Sequence, residues 1–97
     1  MDKHARYIHV IHAAYPDLDI QSAEFRAGGQ YNDILIVNGG TIFRFPRYTA
    51  ALDMLARETA VLRHLQGHLP LPIPNPIYTS LDRCEVGRAF TGYRMIP

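Results

Sequence analysis

Two residues of opposite charge stand in segments that are otherwise largely apolar. Arg44 lies inside the strand-like stretch Thr41–Phe45, and Glu58 lies inside the helix-like run Ala50–Leu65. A guanidinium offers a planar fork of N–H donors suited to carboxylate or phosphate oxygens. With a period of two, Ile42 and Arg44 share one face of the strand, while Thr41, Phe43 and Phe45 share the other. Apolar residues on both faces mark a central strand, so Arg44 rises from a largely buried surface. Its head group either snorkels to the sheet edge or grips an anion. Glu58 is flanked at helical spacing by Met54, Leu55, Val61, Leu62 and Leu65, which puts its carboxylate on the apolar stripe. A buried acid needs a cation, and Arg44 across the fold is one candidate; alternatively Glu58 lies at the margin of the stripe and pairs locally with Arg57 or Arg63 on its own helix.

Other residue groups point less sharply. Gly28 and Gly29 sit in the loop Ala27–Asn32, where free backbone N–H groups can cradle an anion. The same pair also serves as a plain hairpin turn. His9 and His12 are three apart on the first helical segment, but no H-E-x-x-H spacing or clustered cysteine accompanies them. Packed or solvated histidines are therefore expected, with no metal site. No Ser–His–Asp or Cys–His arrangement follows from spacing, and no catalytic residue is assigned.

The elements that must position Arg44 and Glu58 are legible in outline. Tyr7, Ile8, Ile11 and Tyr15 form a stripe on a short helix over residues 2–14, closed by Pro16. Residues 20–27 read as a strand running into the glycines. Asn32–Val37 and Thr41–Phe45 read as a hairpin around Asn38, Gly39 and Gly40. Residues 49–66 carry Leu52, Leu55, Thr59, Leu62 and Leu65 at spacings of three and four, with Thr49 as N-cap and Gly67 past the end. Proline at every second position in Leu69–Pro76 forbids a helix or a central strand there. Strands are then expected over Ile77–Leu81 and Arg88–Ile96. The sum is an α+β domain: a five-stranded, mostly antiparallel sheet with one long helix and a short N-terminal helix.

Composition bounds the partners. The 97 residues suffice for one domain, and a net charge of +1 leaves no basic footprint for nucleic acid. The longest aliphatic run, Ile34–Val37, is far too short to span a membrane. The N-terminus lacks an export-signal pattern, and the single cysteine, Cys84, fits a reducing compartment. A cytoplasmic location is the expectation.

Taken together, Gly29–Asn38, Ile42–Pro46 and Arg57–Leu62 resemble the amino-terminal lobe of the aminoglycoside phosphotransferase family. Leu69–Pro76 is similar to the Pro-rich link that follows the helix there, and Gly92–Pro97 to the strand entering the interlobe hinge. The resemblance covers about residues 20–97, in the right order. It implies a kinase-like fold in which this single domain, residues 1–97, is the nucleotide-binding lobe and an absent, larger lobe binds the acceptor. By the same resemblance Arg44 contacts the α/β-phosphates and Glu58 is its ion-pair partner. Gly28, Gly29 and Asn32 form the phosphate-covering loop, Ile36 and Ile42 line the base pocket, and Tyr93, Arg94, Met95 and Ile96 turn hinge backbone toward the purine. The loop departs from protein kinases in having Gly-Gly-x-x-Asn in place of three spaced glycines. Arginine in place of lysine keeps its charge at any pH and favours a bidentate grip.

No H-x-D-x-x-x-x-N stretch and no metal-binding Asp motif occurs in these residues. The expected function is the nucleotide-binding lobe of a small-molecule phosphotransferase, moving the γ-phosphate of ATP or GTP to a hydroxyl of an aminoglycoside-like acceptor. This fragment alone is expected to be inactive, with Mg²⁺ bound only with the missing lobe. The alternative is a non-catalytic, truncated or degenerate kinase-like module that binds a nucleotide or a protein partner. An apolar face around Ile36, Ile42 and Met95 is expected to promote self-association of the isolated lobe.

Overall fold

The computed structural model describes residues 2–26, 29–82 and 85–96. Asp2 caps helix α1 (Lys3–Ala14), its carboxylate accepting the Ala5 N–H at 2.8 Å. Strands β1 (Ala23–Arg26), β2 (Asn32–Val37) and β3 (Thr41–Pro46) follow, then the long helix α2 (Thr49–Leu65), and finally β4 (Tyr78–Ser80) and β5 (Phe90–Arg94). The sheet order is β1-β2-β3-β5-β4, every pairing is antiparallel, and β3 is the middle strand. The hairpin turns at Asn38 and Gly39, both at positive φ (53° and 68°), the backbone that an Asn-Gly pair adopts most readily.

Three strands are shorter than the sequence predicts, each for a stated reason. The N–H groups of Gln21 and Ser22 donate to the Asn38 side chain at 2.8 and 3.1 Å, so the ladder begins only at Ala23. Ile77 donates back to the Asn75 carbonyl at 2.8 Å, which keeps it out of β4. Arg88 and Ala89 both donate to the Glu85 carbonyl, and Met95 donates to the Gly40 carbonyl, so β5 is trimmed at both ends. The expected N-cap also moves. Tyr48 occupies the position without a capping side-chain bond, and Thr49 is the first helical residue. Residues 69–76 form neither helix nor strand, and the Gln66 amide tethers this run to α2 by donating to both Leu62 and Pro74 carbonyls.

The two faces of the sheet divide the labour. Leu35, Val37, Phe43, Phe45 and Phe90 lie beneath Tyr7 and Ile11 of α1 and make the buried core. The Tyr7 ring stacks on Phe45 with centroids 3.8 Å apart. Gly92 faces Phe43 across the ladder, and a Cβ there would come within 2.6 Å of the Phe43 ring, so only glycine leaves the ring its place. At the far end of α1 the Tyr15 hydroxyl accepts the Thr79 N–H at 2.8 Å and donates to the Thr79 carbonyl at 3.0 Å, fastening the helix to β4.

One acid belongs to the core face. Asp33 is only 1% exposed, and its Oδ2 accepts the Tyr7 hydroxyl at 2.8 Å and Lys3 Nζ at 3.1 Å. Burial, reinforced by the hydrogen bond to Asp33 and its charge, pushes the Tyr7 hydroxyl up to about 12. The unfolded chain releases this proton from pH 10 upward while the folded chain holds it to about 12. The stabilisation is therefore complete below pH 10 and is lost as pH rises through 12, on the order of 2–3 kcal/mol in all. Denaturant titrations below and above this window should show that loss in the wild type. Tyr7→Phe should lack it, and identical pH profiles for the two proteins would contradict the coupling.

Candidate functional site

On the face of β3 opposite the aromatic core stand Ile42 and Arg44, and α2 packs against this strand. The Arg44 Nη2 lies 3.0 Å from the Glu58 Oε2, so the cation of the middle strand and the carboxylate of the helix form an ion pair. Arg63, one of the two local alternatives for Glu58, instead donates to the Thr79 Oγ1 at 3.1 Å. The Arg44 guanidinium carbon also sits over the Tyr93 ring of β5, 5.5 Å from its centre.

The pairing is as the resemblance implied, and of the two placements open to Glu58 the structure takes the margin of the stripe. The buried stripe of α2 is Ala51, Leu52, Leu55 and Thr59, whereas Met54 and Val61 are exposed. Glu58 thus stands at the margin of that stripe, 46% exposed, while Arg44 is 17% exposed. Water solvates the acid even without a partner, so the demand for a counter-ion is weaker than a buried carboxylate would impose. What the pair fixes is the direction of the arginine.

Arg44 Nε, Thr91 Oγ1 and Asn32 Oδ1 are buried side-chain atoms without a hydrogen-bond partner among the described residues. Register puts all three on one face: Arg44 lies opposite Thr91 on β5 and Ile34 on β2, and Asn32 is two residues from Ile34. Unpaired buried polar atoms are uncommon in folded proteins; here one belongs to the cation itself, one is a hydroxyl on the strand beside it, and one is an amide oxygen, which can only accept. Ile36 and Ile42 face each other across β2 and β3 on this same side, half-buried, with Tyr93 next to Ile42 on β5. The face therefore carries an apolar half and a cationic half.

The remaining candidates divide. Gly29 is packed so tightly that a Cβ would collide with the Asn32 carbonyl oxygen. Gly28 and Cys84 lie outside the described residues. Arg94 pairs with Thr41, so its side chain belongs to the opposite face from Arg44, and it is exposed. The Met95 N–H is already engaged by Gly40 at 2.8 Å, which leaves Met95 to offer its carbonyl and its exposed side chain. Ile96 is likewise exposed.

Besides Thr91, two residues bearing on this site escaped the sequence, Arg47 and Asp33. Arg47 Nη1 donates to the Gly29 carbonyl at 2.6 Å, and Arg47 Nε lies 3.7 Å from Asp33 Oδ1. A signal existed: Asp33 alternates in phase with Leu35 and Val37, so an acid was due on the core face. Among the described residues, no three His, Cys, Asp or Glu side chains gather as a metal cluster, and no helix is long and apolar enough to cross a membrane.

A five-stranded antiparallel sheet whose middle strand offers a cation to a helix carboxylate is the amino-terminal lobe of a kinase-like fold. Comparison with known proteins agrees. The GDP complex of wild-type aminoglycoside 2'-phosphotransferase-IIIa shares 33% identity over 99% of this chain and 31% of its own, with a TM-score of 0.82. A GDP and kanamycin complex of the same type shares 34% identity over 94% of this chain and 30% of its own, with a TM-score of 0.80. Macrolide 2'-phosphotransferase MphH from Brachybacterium faecium, at 18% identity and a TM-score of 0.77, shares the fold over 98% of this chain and 31% of its own. No family model and no curated protein matches the chain. Over nearly its whole length the chain matches aminoglycoside phosphotransferases as their amino-terminal lobe, and it spans about 30% of their length.

Proposed function

We propose that this domain is the nucleotide-binding lobe of a small-molecule phosphotransferase that moves the γ-phosphate of GTP or ATP to a hydroxyl of an aminoglycoside-like acceptor. The observation that carries this reading is the Arg44–Glu58 pair at 3.0 Å, on the sheet face opposite the aromatic core. Arg44 would grip the α/β-phosphates, where a guanidinium fork matches two oxygens at once. Glu58 would hold that fork in orientation. Ile36, Ile42 and the Tyr93 ring would bed the base.

Both GDP-bound relatives at 33–34% identity support a guanine nucleotide as the first to test, and a relative at 17% identity bound to ATP keeps adenine in the comparison. The kanamycin in one of those complexes supports the acceptor class. The acceptor and Mg²⁺ would be held outside these residues, which contain no H-x-D-x-x-x-x-N stretch. The 97 residues alone should therefore transfer no phosphate. A nucleoside triphosphate donor suits the cytoplasm, where that pool is kept.

Glu58→Gln tests the pair. In the full-length protein it should raise the KM for GTP or ATP roughly 3–10-fold, because it loosens Arg44 without removing it. The KM for kanamycin should stay unchanged. Steady-state kinetics with each substrate varied in turn provides the check, and an effect confined to kanamycin would reject the assignment.

A further inference from the structure

We propose that Arg47, backed by Asp33, is a positioning residue that sets the glycine loop in its phosphate-covering shape. This inference rests on the nucleotide reading of the Arg44 face. Arg47 is the first residue after β3 and meets the loop twice: its N–H donates to the Tyr31 carbonyl at 2.9 Å, and its Nη1 donates to the Gly29 carbonyl at 2.6 Å. Its Nε lies 3.7 Å from Asp33 Oδ1. The other oxygen of Asp33 is held by the Tyr7 hydroxyl and Lys3, both on α1. A continuous polar chain thus runs from the core helix through a buried carboxylate to the loop.

The consequence follows from peptide geometry. In a planar trans peptide the carbonyl of one residue and the N–H of the next point in opposite directions. Fixing the Gly29 carbonyl on Arg47 therefore aims the Gln30 N–H away from Arg47. That N–H is the kind of donor a glycine loop offers to a phosphate. Gly29 has no space for a side chain against the Asn32 carbonyl, so the turn is close-packed inside and braced outside by the guanidinium. The Tyr31 ring, 6.4 Å from that of Tyr48, borders the same loop. Arg47 itself is 42% exposed on its side chain, so its truncation opens no core cavity.

The test is calorimetric titration of the full-length protein with guanosine, GDP and GTP, and with the adenine series in parallel. Arg47→Ala should weaken GDP and GTP binding on the order of 5–30-fold, the range of one charge-assisted hydrogen bond partly replaced by water. Guanosine binding should be unchanged, and Arg47→Lys should restore much of the loss. Asp33→Asn should weaken the same ligands by a smaller factor. Equal losses for guanosine and GTP, or no loss at all, would overturn the positioning role. Arg44→Ala in the same titration separates the two levels. If it weakens GTP while Arg47→Ala does not, only the brace is wrong. If neither matters, the nucleotide reading itself fails.

Discussion

Arg44→Ala in the full-length protein should weaken nucleotide use on the order of 10–150-fold, the equivalent of the roughly 1.5–3 kcal/mol carried by a hydrogen bond to a charged group. Folding stability should change little. The Glu58 partner is 46% exposed, so water takes over its solvation when the guanidinium goes. On the proposed reading, the loss should appear in the KM for GTP or ATP and leave the KM for kanamycin alone, because Arg44 would face the phosphates and the acceptor would be held outside this lobe. Arg44→Lys should recover part of the loss through charge, but not the two-pronged grip. Kinetics of the three proteins with each substrate varied decides the matter, and an unaltered nucleotide KM in Arg44→Ala would remove Arg44 from the phosphate site.

The neighbouring residue should give the opposite result. Phe43 points to the other face of β3, is fully buried, and contacts the rings of Tyr78 and Phe90 at centroid distances of 5.4 and 5.6 Å. Phe43→Ala should cost about 3–5 kcal/mol, since the vacated volume lies under α1 and against Gly92, which has no side chain to move in. Urea unfolding should show the full loss, while the folded fraction binds GDP with unchanged affinity. A destabilisation below about 1 kcal/mol would mean that the core closes over the gap. One step along a single strand therefore separates a stability defect from a binding defect.

Much of this arrangement was already present in the residue pattern. The strand period assigned Ile42 and Arg44 to one face and Phe43 and Phe45 to the other, and the ladder reproduces it. Asn38 and Gly39 fixed the hairpin because few other residues adopt positive φ without cost. The alternating prolines of Leu69–Pro76 forced a link without helix or strand. Element ends were less accessible, since they were decided by bonds to distant partners: Asn38 taking the N–H groups of Gln21 and Ser22, and Gly40 taking that of Met95.

The sequence by itself determined the order of elements, the face on which each strand residue stands, and the family resemblance, because these depend on local backbone preferences, side-chain period and motif spacing. Only the tertiary structure decided which charges meet. It set Glu58 at the edge of its helix stripe and still within 3.0 Å of Arg44, and it left Arg44 Nε, Thr91 Oγ1 and Asn32 Oδ1 unpaired on one face. It also joined Lys3, Tyr7, Asp33, Arg47 and Gly29 into one polar chain, across up to 30 residues of separation in a single hydrogen bond. Sequence spacing carries no such information, because a contact between distant residues depends on sheet register and helix docking, which the whole core sets together.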